Sequence, residues 1–316
     1  MSSPALWLQA AVQAAGLQHY PASALYVVAT PIGNLADITL RAIHVLGLVD
    51  AVACEDTRVS AGLLQRIGLH KPLLAVHEHN EGSAATGIIA RLQAGERIAC
   101  ISDAGTPAVS DPGARLVAAV RAAGLRVVPV PGASSVVTAL SAAGDVEAAG
   151  FAFHGFLPAK GAVRAAALAR AVAEPLACVL FEAPHRIEAL ADALASACPT
   201  RRISLCRELT KQFEQIDTLD CVALPAWLAA DADRRRGEFA LVLHAPPRLE
   251  AEEDAALDPQ VETLLLALLE VRPLRQAVDL VAEACRQPRK PIYQRALAWK
   301  AAQDEADDTD ADSRSA

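Results

Sequence analysis

The chain lacks the short signatures that mark several large enzyme classes. No G-x-G-x-x-G follows an apolar run, so the usual dinucleotide-binding turn is absent; no G-x-x-x-x-G-K-[ST] is present for a nucleoside triphosphate, and no G-x-S-x-G for a nucleophile elbow. Nor is there the run of about 20 uninterrupted apolar residues that a membrane-spanning helix needs. The opening "MSSPALWLQAAVQAAGLQHY" has no basic start, so no export signal is read in it. Seven cysteines, an odd number, show no C-x-x-C spacing and mostly fall in apolar runs. The expectation is a cytoplasmic protein whose thiols stay reduced in its core. Internal repeats are absent as well.

What is present is a long alternation of strand-like and helix-like segments. At 316 residues and 53% hydrophobic content, the chain suits two domains plus an appendage. The runs "LYVVAT" (25–30), "AVACED" (51–56), "LLAVH" (73–77), "RIACIS" (97–102) and "RVVPV" (126–130) are separated by helical patterns such as 39–48 and 112–124. Strands apolar on both faces and joined by helices predict a parallel sheet. After "SAAGDVEAAG" (141–150), read as a linker, the series restarts with "FAFHGF", "LACVLFE", "RISLCRE", a hairpin region around 214–224, and "GEFALVLH". Past "APPRLEAEEDAALD" the pattern is wholly helical. The division read from this is an N-terminal extension over 1–24, a first α/β domain over 25–145, a second over 146–248, a helical appendage over 256–302 and a disordered acidic tail over 303–316.

Net charge is −8, which argues against a nucleic-acid partner until its distribution is considered. The tail 304–316 holds six acids and one arginine, leaving about −3 for the rest. Positive residues cluster at Arg201 and Arg202, Arg207 and Lys211, Arg234 to Arg236, and Arg286, Arg289, Lys290 and Arg295. A local basic surface is therefore expected, with Arg234, Arg235, Arg236, Arg289 and Lys290 as its test positions.

In an open parallel sheet, ligands gather beyond the carboxyl ends of the strands, where glycine admits a close backbone and helix N-termini offer free N–H groups. Five loops rich in glycine, proline and polar groups fall there: "TPIGN" (30–34), "EDTR" (55–58), "HEHNE" (77–81), "DAGTP" (103–107) and "PGASS" (131–135). Asp111 reads as the N-cap of the next helix, with Pro112 at its first position. "HEHNE" offers two histidines without a third ligand at a characteristic spacing, so no metal site is read. The residues alone reach a two-domain α/β protein with an interdomain cleft, and no reaction.

The strings "LYVVATPIGNLADITLRAI", "EDTR", "ISDAGTPAVSDPG", "PGASSVVTALSAAG", "GFLPAKG", "FEAPHRI" and "RELTKQFE", in that order, resemble the small-subunit ribosomal RNA methyltransferase I family of the tetrapyrrole methylase superfamily, over residues 25–300. The resemblance implies two α/β domains of the tetrapyrrole methylase type. It also implies S-adenosylmethionine as cofactor, 2′-O-methylation of a cytidine ribose in small-subunit (16S) ribosomal RNA, free or in the 30S particle, and a cytoplasmic homodimer. By the same similarity Gly33, Asp103, Gly105, Thr106, Pro107, Val109, Ser134, Ser135, Glu182 and Leu209 would line the cofactor cleft. Asp145 and Val146 stand where that family often has a proline, and its commonly more basic loop carries only Lys160 and Arg164 here.

Such a transfer needs a hydroxyl aligned with an activated methyl, water excluded and a proton accepted. Glu55, Asp56 and Glu208 are the carboxylates read as proton acceptors, with Arg58 and Lys211 as charge stabilisers and His185 as an alternative. Two other readings stay open: methylation of a tetrapyrrole, and a non-catalytic RNA-binding module.

Overall fold

The structure, a computed structural model, describes residues 4–77, 80–247 and 257–300. Glu78 and His79 of "HEHNE" and the acidic tail lie outside the described residues. By contacts the chain divides into two compact units, one running to Pro246 and one from Pro247.

The first sheet is made of β1 (Ala24–Val28), β2 (Ala51–Cys54), β3 (Leu73–Ala75), β4 (Arg97–Ile101) and β5 (Arg126–Val130). It is wholly parallel in the order β3-β2-β4-β1-β5. Alternation assigns each face its own core. Tyr26, Val28, Val52 and Ile101 pack with Ile43 and Leu46 on one side, while Leu25, Ala53 and Ile98 pack with Ile88, Leu92 and Leu116 on the other. Pro129 interrupts "RVVPV", and β5 is accordingly an edge strand, where a missing N–H costs no ladder bond. The N-terminal residues form a helix, Pro4–Ala15, whose Ala11, Trp7 and Leu8 join the first of these cores.

The second sheet holds β6 (Phe151–Phe156), β7 (Ala177–Glu182), β8 (Arg202–Arg207), β9 (Gln215–Asp220) and β10 (Phe239–Leu243) in the order β6-β7-β10-β8-β9. Only β6 and β7 run parallel; every other pairing is antiparallel. β10, "FALVL", is buried at every residue, as its central place requires. The expected hairpin is β8–β9, but residues 221–229 turn into a short 3-10 segment and the helix Leu224–Ala229.

The stretch 141–150 is not a loose linker. Ser141 to Ala143 finish the helix Ser135–Ala143, which Gly144 closes at φ +63°. Asp145 then ties the chain down: Oδ1 accepts from the Glu147 and Ala148 amides, and Oδ2 from the Ala245 amide just past β10. Nearby, His244 Nε2 lies 2.7 Å from Ser204 Oγ, and burial lowers the His244 pKa, so the imidazole braces this site as a neutral ring.

Arg201 is a correction to the expected basic surface. It is buried, and its guanidinium donates to the carbonyls of His244, Val172, Glu174 and Leu176. Arg234 lies over the Trp227 ring at 4.4 Å and donates to its carbonyl, while Arg235 pairs with Glu188 and Arg236 with Asp233. Arg234 is thus claimed within the chain, while Arg235 and Arg236 sit in exposed ion pairs.

The second unit packs the helices Pro259–Leu269 and Leu274–Cys285 and a helical stretch over 289–300 around Val261, Leu265, Val278, Val281, Ile292 and Ala296.

Candidate active site

A cleft of about 360 Å³ opens between the two sheets. The first half contributes Ile32, the loop 104–106 and 109–111 after β4, and Ser134 to Val136 after β5. The second contributes Phe156, Phe181 to Pro184, Cys206, Leu209 and Glu238 to Ala240. Of the cofactor residues expected from sequence, Gly105, Thr106, Val109, Ser134, Ser135, Glu182 and Leu209 line this cleft, whereas Gly33, Asp103 and Pro107 do not.

The loop after β4 is locked to its neighbours. Thr30 and Gly105 exchange backbone hydrogen bonds of 2.9 and 3.1 Å, and Thr106 Oγ1 donates to the Ala133 carbonyl. Gly105 therefore has no spare amide for a ligand. Its φ of +83° is what demands glycine, and a Cβ there would stand 3.3 Å from Ile32 Cγ2. Ala108 also takes a positive φ of 67°, a strained geometry for a residue with a side chain.

Asp111 is not the N-cap. The helix is Ala114–Ala122, its N-cap is Gly113, and Glu81 Oε1 accepts from the Gly113 and Leu116 amides at 3.0 Å each. A carboxylate from another helix satisfies this N-terminus, which leaves Asp111 to face the cleft. Burial, together with the charge of Asp103, raises the Asp111 pKa against a hydrogen bond with Ser102.

Gly33 serves the far wall. A Cβ on it would lie 2.5 Å from Lys211 Cγ and 2.9 Å from Thr210 Oγ1, so its absence lets the loop after β1 seat against the loop after β8. That second loop is itself strained, with Glu208 at φ +52° and Thr210 at +65°.

The expected proton carriers fall into three groups, none of them lining the cleft. Asp56 caps the helix Thr57–Arg66, and the Arg58 side chain and amide hold its pKa down at about 2. Burial pushes Glu208 up, but hydrogen bonds from the Glu238 amide and Lys211 Nζ outweigh it and its pKa is lowered. Glu55 differs: burial, then the charges of Asp103, Asp111 and Asp56, raise its pKa. Lys211 is committed to Glu208 and Glu238, at 2.9 and 3.1 Å, and His185 is exposed.

Glu182 is a buried anion at the cleft wall with its charge fully answered. Arg164 reaches Oε2 at 3.1 Å, Arg186 reaches Oε1 at 2.9 Å, and the Ala183 amide donates to Oε1. Sequence reasoning missed Asp111 and the aromatic side of the cleft, Phe156, Phe181 and Phe239. Phe156 and Phe181 meet edge to face at 5.6 Å. Cys206, also on the wall, has its thiol pushed up by burial to about 12, so it acts as an apolar surface. Among the described residues no cluster of His, Cys, Asp and Glu is placed to hold a metal, and no helix is long and apolar enough to cross a membrane.

The family model for tetrapyrrole (corrin/porphyrin) methylases matches residues 24–220, and that for the RsmI C-terminal HTH domain matches 255–300. The ribosomal RNA small subunit methyltransferase I of Pseudomonas aeruginosa is 47% identical over 278 residues, covering 87% of this chain and 97% of its own. That of Neisseria meningitidis serogroup B is 45% identical over 276 residues, covering 87% and 94%. A crystal structure of diphthine synthase superposes with a TM-score of 0.55 at 13% identity, over 70% of this chain and 90% of that one, a likeness of fold. With a parallel and a mixed sheet enclosing a cleft at their loop ends, and this identity over nearly the whole length of its relatives, the chain belongs to the tetrapyrrole methylases and, within them, to the ribosomal RNA small subunit methyltransferase I family.

Proposed function

We propose that this chain transfers a methyl group from S-adenosylmethionine to the 2′-hydroxyl of a cytidine ribose in small-subunit ribosomal RNA, and that it works as a cytoplasmic homodimer. The observation that carries the reading is the identity of 45–47% over 94–97% of relatives bearing that methyltransferase name. Methylation of a tetrapyrrole is the alternative that the wider fold family supplies.

The cleft suits the cofactor. Its volume falls in the range of about 300–1,000 Å³ typical of small-molecule sites. Ile32, Val136, Leu209 and the phenylalanines offer apolar walls for a purine. Ser134 and Ser135 bring hydroxyls and the open N-terminus of the helix Ser135–Ala143, whose cap carries no side-chain hydrogen bond, to meet a carboxylate. When bound, S-adenosylmethionine would supply an already activated sulfonium methyl, so no metal is required. Gly105, Thr106 and Val109 shape the wall, and Glu182, held by two arginines, fixes the opposite one.

The chain's own work is then to align the ribose hydroxyl, exclude water and take up a proton. Asp56 and Glu208 are held ionised by their partners and suit structure better than proton transfer. We assign the proton to the carboxyls Glu55 and Asp111, both with pKa raised from the ordinary carboxylate value and the second on the cleft itself.

The reading is tested by offering methyl-labelled S-adenosylmethionine with three acceptors: small-subunit particles lacking the modification, the naked ribosomal RNA, and uroporphyrinogen. Label in 2′-O-methylcytidine of either RNA acceptor supports it; label in the tetrapyrrole alone overturns it.

A further inference from the structure

A protein that grips RNA needs cations not already committed to its own acids and carbonyls. The C-terminal unit supplies them. Its described residues, 257–300, hold seven Lys and Arg against five Asp and Glu, in a chain whose net charge is −8. Arg289 Nε lies 2.6 Å from Asp279 Oδ1, and Arg295 pairs with Glu262. Arg275 and Lys290 are exposed and form no ion pair among the described residues.

These cations are gathered by the local fold. Arg275 is the second residue of the helix Leu274–Cys285, while Lys290 and Tyr293 stand three apart on the helical stretch 289–300 and so share a face. Val278 and Val281 pack against Ile292 and Ala296 and fix the two helices to each other. Tyr293 packs on that same core, so its ring is a fixed wall. Arg275, Arg289, Lys290 and Tyr293 together line one concavity of about 560 Å³.

Two unpaired cations, Arg275 and Lys290, around one opening, with the Asp279-paired Arg289 beside them, suit an anion with several acceptor oxygens. Arginine presents a planar fork of donors and lysine a point charge, which is phosphate chemistry. Tyrosine adds a hydroxyl donor and a ring face on which a base can stack. We propose that this concavity is a phosphodiester-binding site that anchors the RNA substrate. The identity of the anion rests on the function proposed above; the site itself rests on its charge and shape.

The test uses the full chain and a fragment of small-subunit ribosomal RNA, with binding followed by anisotropy across a salt series and S-adenosylmethionine affinity followed by calorimetry. Each phosphate contact contributes roughly 0.7–0.9 to the slope of log affinity against log salt. Arg275→Glu with Lys290→Glu is expected to weaken RNA binding at least tenfold at low salt and to flatten the slope by about 1.5, two contacts' worth. Cofactor affinity and the thermal midpoint stay as in the unchanged protein. Arg275→Gln with Lys290→Gln moves in the same direction by less, which separates lost attraction from added repulsion. Unchanged RNA affinity and slope in both variants overturn the proposal, as does displacement of the RNA by polyaspartate at equal charge, which marks a general anion surface. Methyl transfer by the unchanged protein is scored in parallel. Its absence counts against the cleft reading alone, and its presence with an unmoved slope counts against this site alone.

Discussion

In the second α/β half, arginines turn inward. Arg201 is buried among four carbonyls, Arg164 and Arg186 converge on Glu182, and Arg234 stacks on Trp227. In the helical unit, Arg275 and Lys290 border an open concavity with no acid of their own. The two regions look alike as strings of basic letters, and "RRR" is the denser one. What separates them is commitment. A guanidinium that satisfies buried carbonyls holds the fold, and one left unpaired is available to a partner.

Replacing Arg201 is the sharpest way to break this contrast. Arg201→Ala would leave four carbonyls without their donor and is expected to lower stability by about 3 kcal/mol in urea unfolding. Lys290→Ala, by the same measurement, should stay within about 0.5 kcal/mol of the unchanged protein. Equal costs would erase the distinction.

Glu182→Ala comes next. It strands two guanidinium groups beside the cleft, and a loss of roughly 2 kcal/mol is expected together with weaker cofactor binding by calorimetry. Gly105→Val forces a branched residue to φ +83° beside Ile32. The Thr30 bridge makes that loop part of the first sheet's frame, so about 1–2 kcal/mol of stability should go along with cofactor affinity, rather than affinity alone.

The pH responses are smaller. Burial raises the Glu55 and Asp111 pKa values, so as proton acceptors they are disabled as pH falls through them, at higher pH than for an unburied carboxylate. A rate profile should lose its acidic limb there, and Asp111→Asn should displace that limb while cofactor affinity holds. Asp56 has the opposite sign. Its pKa is lowered to about 2, so its contribution to stability is present above the unfolded carboxylate range and fades as pH drops toward 2. The group is exposed, and Asp56→Asn should change the acid limb of an unfolding curve only slightly.

Much of this architecture was legible in the sequence. The inner strands β1, β2 and β4 fall on apolar runs, because a strand buried on both faces must be apolar throughout. Strand order was not legible: β10 follows β9 in the chain yet inserts between β7 and β8, a choice set by sheet packing. That the connection within 141–150 is anchored was not legible, because Asp145 finds its partner at Ala245, a hundred residues on. Asp111 was misplaced for a similar reason, since the cap comes from Glu81 on a separate helix. Local rules see a capping residue near a helix start; they cannot see a distant carboxylate that makes it unnecessary.

The claim that the cleft methylates RNA is tested most directly by one measurement. Small-subunit particles from a strain lacking this gene are treated with the purified protein and S-adenosylmethionine, and the RNA is mapped by mass spectrometry. The account predicts a gain of one methyl group on one cytidine ribose, lost again with Gly105→Val. A methyl gained on a base, or none gained either by the particles or by their naked RNA, would contradict it.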